Sequence, residues 1–188
     1  MHMIVLPAAG YAAHAPHEAE PVARWLGEIG VQESVFRYPV NVAHPAPLCA
    51  LRAEIARWRA AGERRIGLIG FSAGGHLAGL AALAPEAAPD ETVDFAVLGY
   101  AVTSMETETY RPARLILLGE DASPEQRRST SLDALVTPQS PPVLRPAHRR
   151  GPLRPTRAHL PLRPCARGQP GTPRRARIHL RTAQPWAG

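Results

Sequence analysis

The segment Gly70-Phe71-Ser72-Ala73-Gly74 constrains the fold of this chain more than any other. It ends an apolar run at residues 65–71 and opens a run of small residues at 74–83. A G-x-S-x-G pattern between a strand and a helix is typical of a nucleophilic serine on a tight turn. Only glycine or another small residue fits two positions before and two after that serine, because the turn brings the backbone close to itself. The segment therefore predicts Ser72 as a nucleophile, with an ordinary glycine-rich turn as the alternative.

The hydrophobic pattern of the first 100 residues alternates between strands and helices. Strands are predicted at residues 3–6, 31–38, 65–71 and 93–100, and helices at 21–29, 47–61 and 74–83. Strands that alternate with helices of this length form a mostly parallel sheet with helices on both faces. A length of 188 residues suits a single such α/β domain.

Charge divides the chain into two parts. Residues 1–140 carry 11 Arg and all 16 acidic residues, whereas residues 141–188 carry 11 Arg, 10 Pro and no acid. We therefore expect a domain at residues 1–142 and an Arg/Pro-rich tail at 143–188. The tail has neither strand nor helix periodicity, and its composition predicts irregular structure without a sheet strand.

Targeting signals and paired cysteines are not apparent in the sequence. No apolar run approaches the roughly 18 residues of a membrane span, and no basic segment precedes an apolar one at the amino terminus. We expect a cytoplasmic protein with no membrane partner. Cys49 and Cys165 are isolated in the sequence, which favours free thiols over a disulfide or a metal site.

Several segments together resemble the acetylxylan-esterase-like serine carboxylesterases of the α/β-hydrolase superfamily. They lie at residues 7–11, 17–23, 36–38, 44–47, 70–78, 117–120 and 137–142. The resemblance spans residues 3–142 and then stops. It implies an incomplete α/β-hydrolase sheet that begins at the third strand of the family and lacks the last two.

The resemblance implies a serine esterase that acts on a small ester or an acetylated carbohydrate without cofactor or metal. Ser72 would attack the ester carbonyl, and the backbone N–H groups of Ala9, Gly10 and Ala73 would bind the oxyanion. The family loop usually has three glycines, but here Ala8 and Ala9 replace two of them. An alanine at positive φ would cost on the order of 1 kcal/mol.

Three further residues have a place in the family pattern. His76 matches a histidine that in the family usually follows the turn that carries the nucleophile, and we expect it to pack beside the site rather than act as the base. Glu18 and Glu20 precede the helix at 21–29. They are expected either to act as favourable charges near its amino terminus or to line the pocket rim.

The acid and histidine that should complete the catalytic triad are missing. The family pattern places the acid on a loop near the end of the sheet, within about ten residues of Pro142. The chain has no acid after Asp133. Codons able to encode residues 147–152 and 182–188 permit the expected acid and histidine segments when they are read one base later. A frame shift near Pro142 is therefore one hypothesis for the tail, and it predicts an impaired enzyme.

A basic arm that binds polyanions is the other hypothesis for the tail. Eleven Arg without an acid would attract phosphates in a salt-sensitive way. Trp186 is its one aromatic residue, so no specific nucleic acid is expected as a partner. Since outer strands of the sheet would be missing, we also expect self-association.

Overall fold

A computed structural model describes residues 1–107 and 110–146. Its strands are β1 (His2–Leu6), β2 (Gln32–Val35), β3 (Ile66–Phe71), β4 (Phe95–Gly99) and β5 (Val143–Leu144). Its α-helices are α1 (Glu20–Glu28), α2 (Ala46–Ala60), α3 (Ser72–Leu83), α4 (Arg111–Leu118), α5 (Pro124–Ser129) and α6 (Leu132–Leu135). Short 3-10 helices occupy Pro16–Glu18 and Pro89–Glu91.

The described strands form one parallel sheet in the order β2-β1-β3-β4-β5. In the register, Leu6 at the end of β1 lies beside Gly70, and Phe71 at the end of β3 lies beside Gly99. Parallel strands have their carboxyl ends at one edge, so the segments after β1, β3 and β4 meet there. This arrangement confirms the predicted α/β fold.

The sheet separates two apolar clusters. On one face, Ile4, Leu6 and Leu68 pack with α2 and α3 in the larger cluster. On the other face, Met3, Val5, Ile69 and residues of α1 form a smaller one. Alternate residues of β1 therefore point into different clusters, as the period of two requires. Because both faces of β1 are covered, all five of its residues are buried, and the four that follow His2 are apolar.

Helix α3 is buried along nearly its whole length, from Ala73 to Ala81. A Cβ atom built on Gly79 would lie 2.4 Å from Leu132 Cδ1, so the glycine is what lets α6 pack against α3. The small residues of α3 therefore permit close packing on all sides, and they fix the helix that begins with Ser72.

The predicted absence of a sheet strand after residue 142 is wrong for two residues. Val143 and Leu144 form β5 and pair with Ala96 and Val97 of β4. A two-residue strand has no periodicity to detect, and the prolines around it pointed to irregular structure. The expectations for residues 147–188, including Cys165, concern residues outside the described part of the chain.

Two findings concern the cysteine and membrane expectations. Cys49 is an exposed free cysteine on α2. In the part of the chain that the structure describes, no helix has the length and apolar character needed to cross a bilayer.

Candidate active site

Ser72 is the first residue of α3 and directly follows β3. Its backbone φ of 46° lies in the left-handed region, which residues other than glycine seldom adopt. The preceding Phe71 is extended, so the chain reverses at the serine itself. Strained backbone of this kind is concentrated at functional sites, where the surrounding structure holds it in place.

Two glycines make the turn at Ser72 sterically possible. A Cβ built on Gly70 would lie 2.3 Å from the carbonyl oxygen of Gly74. One built on Gly74 would lie 2.2 Å from the carbonyl oxygen of Leu6. The first turn of α3 therefore packs directly on the carboxyl end of β1, where the next part of the site begins.

The loop after β1 contains Ala9 and Gly10, two of the residues that the family resemblance implies as oxyanion donors. Ala9 has φ 138°, and Gly10 and Tyr11 both have φ 65°. Ala9 and Gly10 are partly exposed, as is Ser72. Since Leu6 and Gly70 are neighbours in the register, this loop and the turn at Ser72 leave the sheet from adjacent strands at the same edge. At Ala9, an alanine occupies a positive φ that favours glycine.

Side chains from other segments hold the first part of this loop, which we call the β1 loop (residues 7–11). The Tyr38 hydroxyl donates a hydrogen bond of 2.8 Å to the Pro7 carbonyl. The Ala8 N–H donates one of 2.8 Å to Glu18 Oε2. Glu18 is buried, and its carboxylate binds the β1 loop. Of the two acids expected near the start of α1, only Glu20 lies in the first turn of that helix. A carboxylate on a backbone N–H makes a strong, charge-assisted hydrogen bond.

His76 is fully buried on α3 and bonded at both ring nitrogens. Nε2 lies 2.7 Å from the Thr130 carbonyl oxygen, and Nδ1 lies 2.7 Å from the Tyr11 hydroxyl. A carbonyl only accepts, so Nε2 carries the proton and Nδ1 accepts from Tyr11. Burial lowers the pKa of His76 to about 4. With both nitrogens engaged, His76 is not available as a base for Ser72.

No base for the serine is found in the part of the chain that the structure describes. Within residues 1–107 and 110–146, Ser72 Oγ makes no hydrogen bond to a histidine, and only Arg145 and Pro146 follow β5. The same residues contain no group of three or more side chains suited to a metal ion. The tail histidines lie outside the described residues.

Sequence reasoning did not identify Tyr11, Tyr38 or Thr130 as parts of the site. Tyr11 immediately follows the loop residues that were selected, but its histidine partner is 65 residues away in the chain. Thr130 contributes a backbone carbonyl, which any residue could supply. Neither contact leaves a sequence signal.

The described fold is similar to that of solved esterases. An acetyl ester-xyloside bifunctional hydrolase from Caldicellulosiruptor lactoaceticus is 34% identical, with a TM-score of 0.70 over 77% of this chain and 59% of that chain. The chain shares the fold of the α/β-hydrolase esterases. A carboxylesterase from Lactobacillus plantarum WCFS1 is 28% identical, with a TM-score of 0.59 over 77% of this chain and 58% of that chain.

One curated protein is also similar to this chain in sequence. It is endo-1,4-beta-xylanase B of Butyrivibrio fibrisolvens, which is 24% identical over 161 residues, covering 74% of this chain and 25% of that protein. No protein-family model matches the chain. The chain therefore spans about three fifths of the two solved esterases and a quarter of the xylanase.

Proposed function

We propose that this chain is a serine esterase for short acyl esters, with Ser72 as the nucleophile. One observation carries the proposal: Ser72 has φ 46° on a strand-to-helix turn whose flanking glycines leave no room for a Cβ atom. The β1 loop leaves the neighbouring strand at the same edge of the sheet. A nucleophile and a loop with backbone donors are the two parts that acyl transfer requires around one carbonyl.

The reaction proceeds through an acyl-enzyme. Ser72 Oγ attacks the ester carbonyl carbon and gives its proton to a base, while the carbonyl oxygen becomes an oxyanion. The N–H groups of Ala73, Ala9 and Gly10 bind that oxyanion. The alcohol leaves with the proton, and water then attacks the acyl carbon to release the acid and restore Ser72. The Ala73 N–H is one of the first four of α3, which have no acceptor within the helix.

An acetyl group on a carbohydrate is the substrate we favour. Two relatives support this proposal, the acetyl ester-xyloside hydrolase and the xylanase. The part of the substrate that is recognised beyond the acyl group would then be a sugar.

The chain as written should turn over esters at a rate near background. Serine is a weak nucleophile without a base, and loss of a triad member costs about 10⁴-fold or more. Residues 1–107 and 110–146 place no histidine on Ser72. We propose that a frame shift near Pro142 accounts for the missing acid and histidine segments of the family pattern.

Hydrolysis of p-nitrophenyl acetate tests the function. The chain as written and its Ser72→Ala variant are compared with a protein translated one base later after codon 142, and Ser72→Ala and Ser34→Ala are also made in that protein. Restoring the frame should raise turnover by about 10⁴-fold or more, and Ser72→Ala in that protein should remove the gain. A matched Ser34→Ala change, on β2, should not. Robust Ser72-dependent turnover by the chain as written would refute the proposed impairment, and no turnover by the restored protein would refute the esterase.

A non-catalytic remnant, or a protein that binds polyanions through its basic tail, is the second proposal, and the 11 Arg of residues 141–188 support the polyanion binding. Binding of the chain to heparin should then weaken steeply between 50 and about 200 mM salt. A variant in which these arginines are replaced by glutamine tests whether the charge of the tail is responsible for heparin binding. Equal retention of the two versions on heparin would exclude this function.

A further inference from the structure

We infer that Tyr11 and His76 are positioning residues for the β1 loop. Their buried hydroxyl–imidazole hydrogen bond fixes Ala9 and Gly10 relative to the helix that carries Ser72. The catalytic meaning of this contact rests on the proposed esterase function, whereas its effect on the loop does not.

The contact connects the two halves of the candidate site. Tyr11 directly follows Gly10, and His76 lies four residues after Ser72, about one turn further along α3. The 2.7 Å bond between Tyr11 Oη and His76 Nδ1 therefore runs from the loop to the nucleophile's own helix. Both side chains are fully buried, so water cannot replace either partner without cost.

The direction of the hydrogen bond is determined by a third residue. Thr130, which follows α5 and is fully buried, accepts the His76 Nε2 proton through its carbonyl. This leaves Nδ1 as an acceptor, so the Tyr11 hydroxyl must donate. Burial also raises the pKa of Tyr11 well above its ordinary value, which keeps the donor proton on the phenol.

The β1 loop needs such a contact because Ala9 is strained at φ 138°. Tyr38 and Glu18 hold the residues before Ala9. Tyr11 holds the residue after Gly10. Ala9 and Gly10 therefore lie between two fixed points, and removing the second one allows the strained part of the loop to relax.

Hydrogen–deuterium exchange of the full chain tests the inference without any need for activity. Tyr11→Phe removes only the hydroxyl, and we expect amides in a peptide covering residues 7–15 to exchange about 10-fold faster. The reporters are the N–H groups of Ala12 and Ala15, which donate to Ala9 and Ala8. Unchanged exchange in this peptide would overturn the inference.

Ser34→Ala is the matched control. It also removes a hydroxyl–imidazole hydrogen bond to a buried histidine, the 2.8 Å bond from Ser34 Oγ to His2 Nε2. His2 begins β1, at the end of the strand away from the β1 loop. A general loss of stability would speed exchange in both variants alike, and that result would also overturn the inference.

Substitutions of His76 add a graded test. His76→Leu removes both hydrogen bonds, whereas His76→Gln keeps one donor and one acceptor. Exchange in the peptide should follow the order Leu, then Gln, then the unchanged chain. Equal exchange in the Leu and Gln variants would contradict a positioning role. If His76→Leu does not fold, Tyr11→Phe decides the question.

Kinetics then connects the loop to catalysis. In the frame-restored protein, Tyr11→Phe should lower kcat for p-nitrophenyl acetate about 10-fold with little change in KM, less than the 10²–10³-fold loss of a whole oxyanion donor. Faster exchange with an unchanged kcat would overturn the catalytic part. If the restored protein has no Ser72-dependent turnover, the esterase proposal fails while exchange still decides the role of Tyr11 and His76 in the loop.

Discussion

At the scale of single residues, Ala9 is in a conformation that its side chain disfavours. Its φ of 138° costs an alanine on the order of 1 kcal/mol more than a glycine. Hydrogen bonds on both sides hold the residue there, from the Ala8 N–H to Glu18 and from Tyr11 to His76. The loop therefore stores strain at one of the proposed oxyanion donors.

Ala9→Gly should raise the free energy of unfolding by up to about 1 kcal/mol, because relief of strain exceeds the entropy that glycine adds to the unfolded chain. Ala13→Gly is the control, since Ala13 lies nearby without a positive φ. It should lower the free energy by about 0.5–1 kcal/mol. Urea unfolding measures both. A loss of stability in Ala9→Gly equal to that in Ala13→Gly would show that Ala9 is not strained.

His76 should make the protein less stable in acid. Its pKa is lowered by burial from 6.5 to about 4, so the unfolded state binds more protons between these values. The free energy of unfolding should then fall by about 3 kcal/mol as the pH drops from 7 to 4. Urea unfolding of His76→Gln at several pH values should show a shallower dependence. Identical slopes in His76→Gln and the parent protein would refute the assignment.

At the scale of elements, the contact between α3 and β1 decides whether the candidate site forms. Gly74 brings the first turn of α3 against the backbone carbonyls of Leu6 and Pro7. Backbone atoms cannot rotate away as a side chain can. A methyl group here must push the helix and the strand apart.

Gly74→Ala should therefore destabilise the protein by at least about 2 kcal/mol, despite the better helix propensity of alanine. Gly27→Ala is the control, because a Cβ on this α1 residue meets nothing within 4 Å. That change should leave stability unchanged or raise it by about 0.5 kcal/mol. Thermal and urea unfolding compare the two. A Gly74→Ala protein as stable as the Gly27→Ala protein would mean that α3 does not pack on β1 in this way.

At the scale of the whole molecule, the sequence predicted what is local and missed what is distant. The pattern around Ser72 predicted its turn because strand, glycines and helix are contiguous. The alternation of apolar segments predicted the parallel sheet for the same reason. The bond between Tyr11 and His76 joins residues far apart in the chain, so no local pattern encodes it. Strand β5 was not predicted because a strand of two residues has no detectable pattern. Val143 and Leu144 form a strand only through their pairing with β4.

The sheet should promote self-association through β5. In the described residues β5 is an edge strand, with Leu144 exposed. An unpaired edge offers N–H and C=O groups to another chain, and a charged side chain there opposes pairing. Leu144→Lys should reduce the concentration-dependent rise in mass measured by light scattering. Gln139→Lys, in the exposed segment before β5, adds the same charge as a control. A parent chain that stays monomeric at high concentration would contradict this expectation.

The pairing of β1 with β3 also matters while the chain is being synthesised on the ribosome. His2 pairs with Ile66, so the central strand is synthesised long before its main partner exists. At about 5–20 residues per second, several seconds pass between the synthesis of β1 and that of β3. Such non-local pairing folds slowly and exposes the nascent chain to aggregation. The yield of folded protein should therefore depend on whether residues 3–6 avoid aggregation during this interval, and not only on the stability of the finished fold.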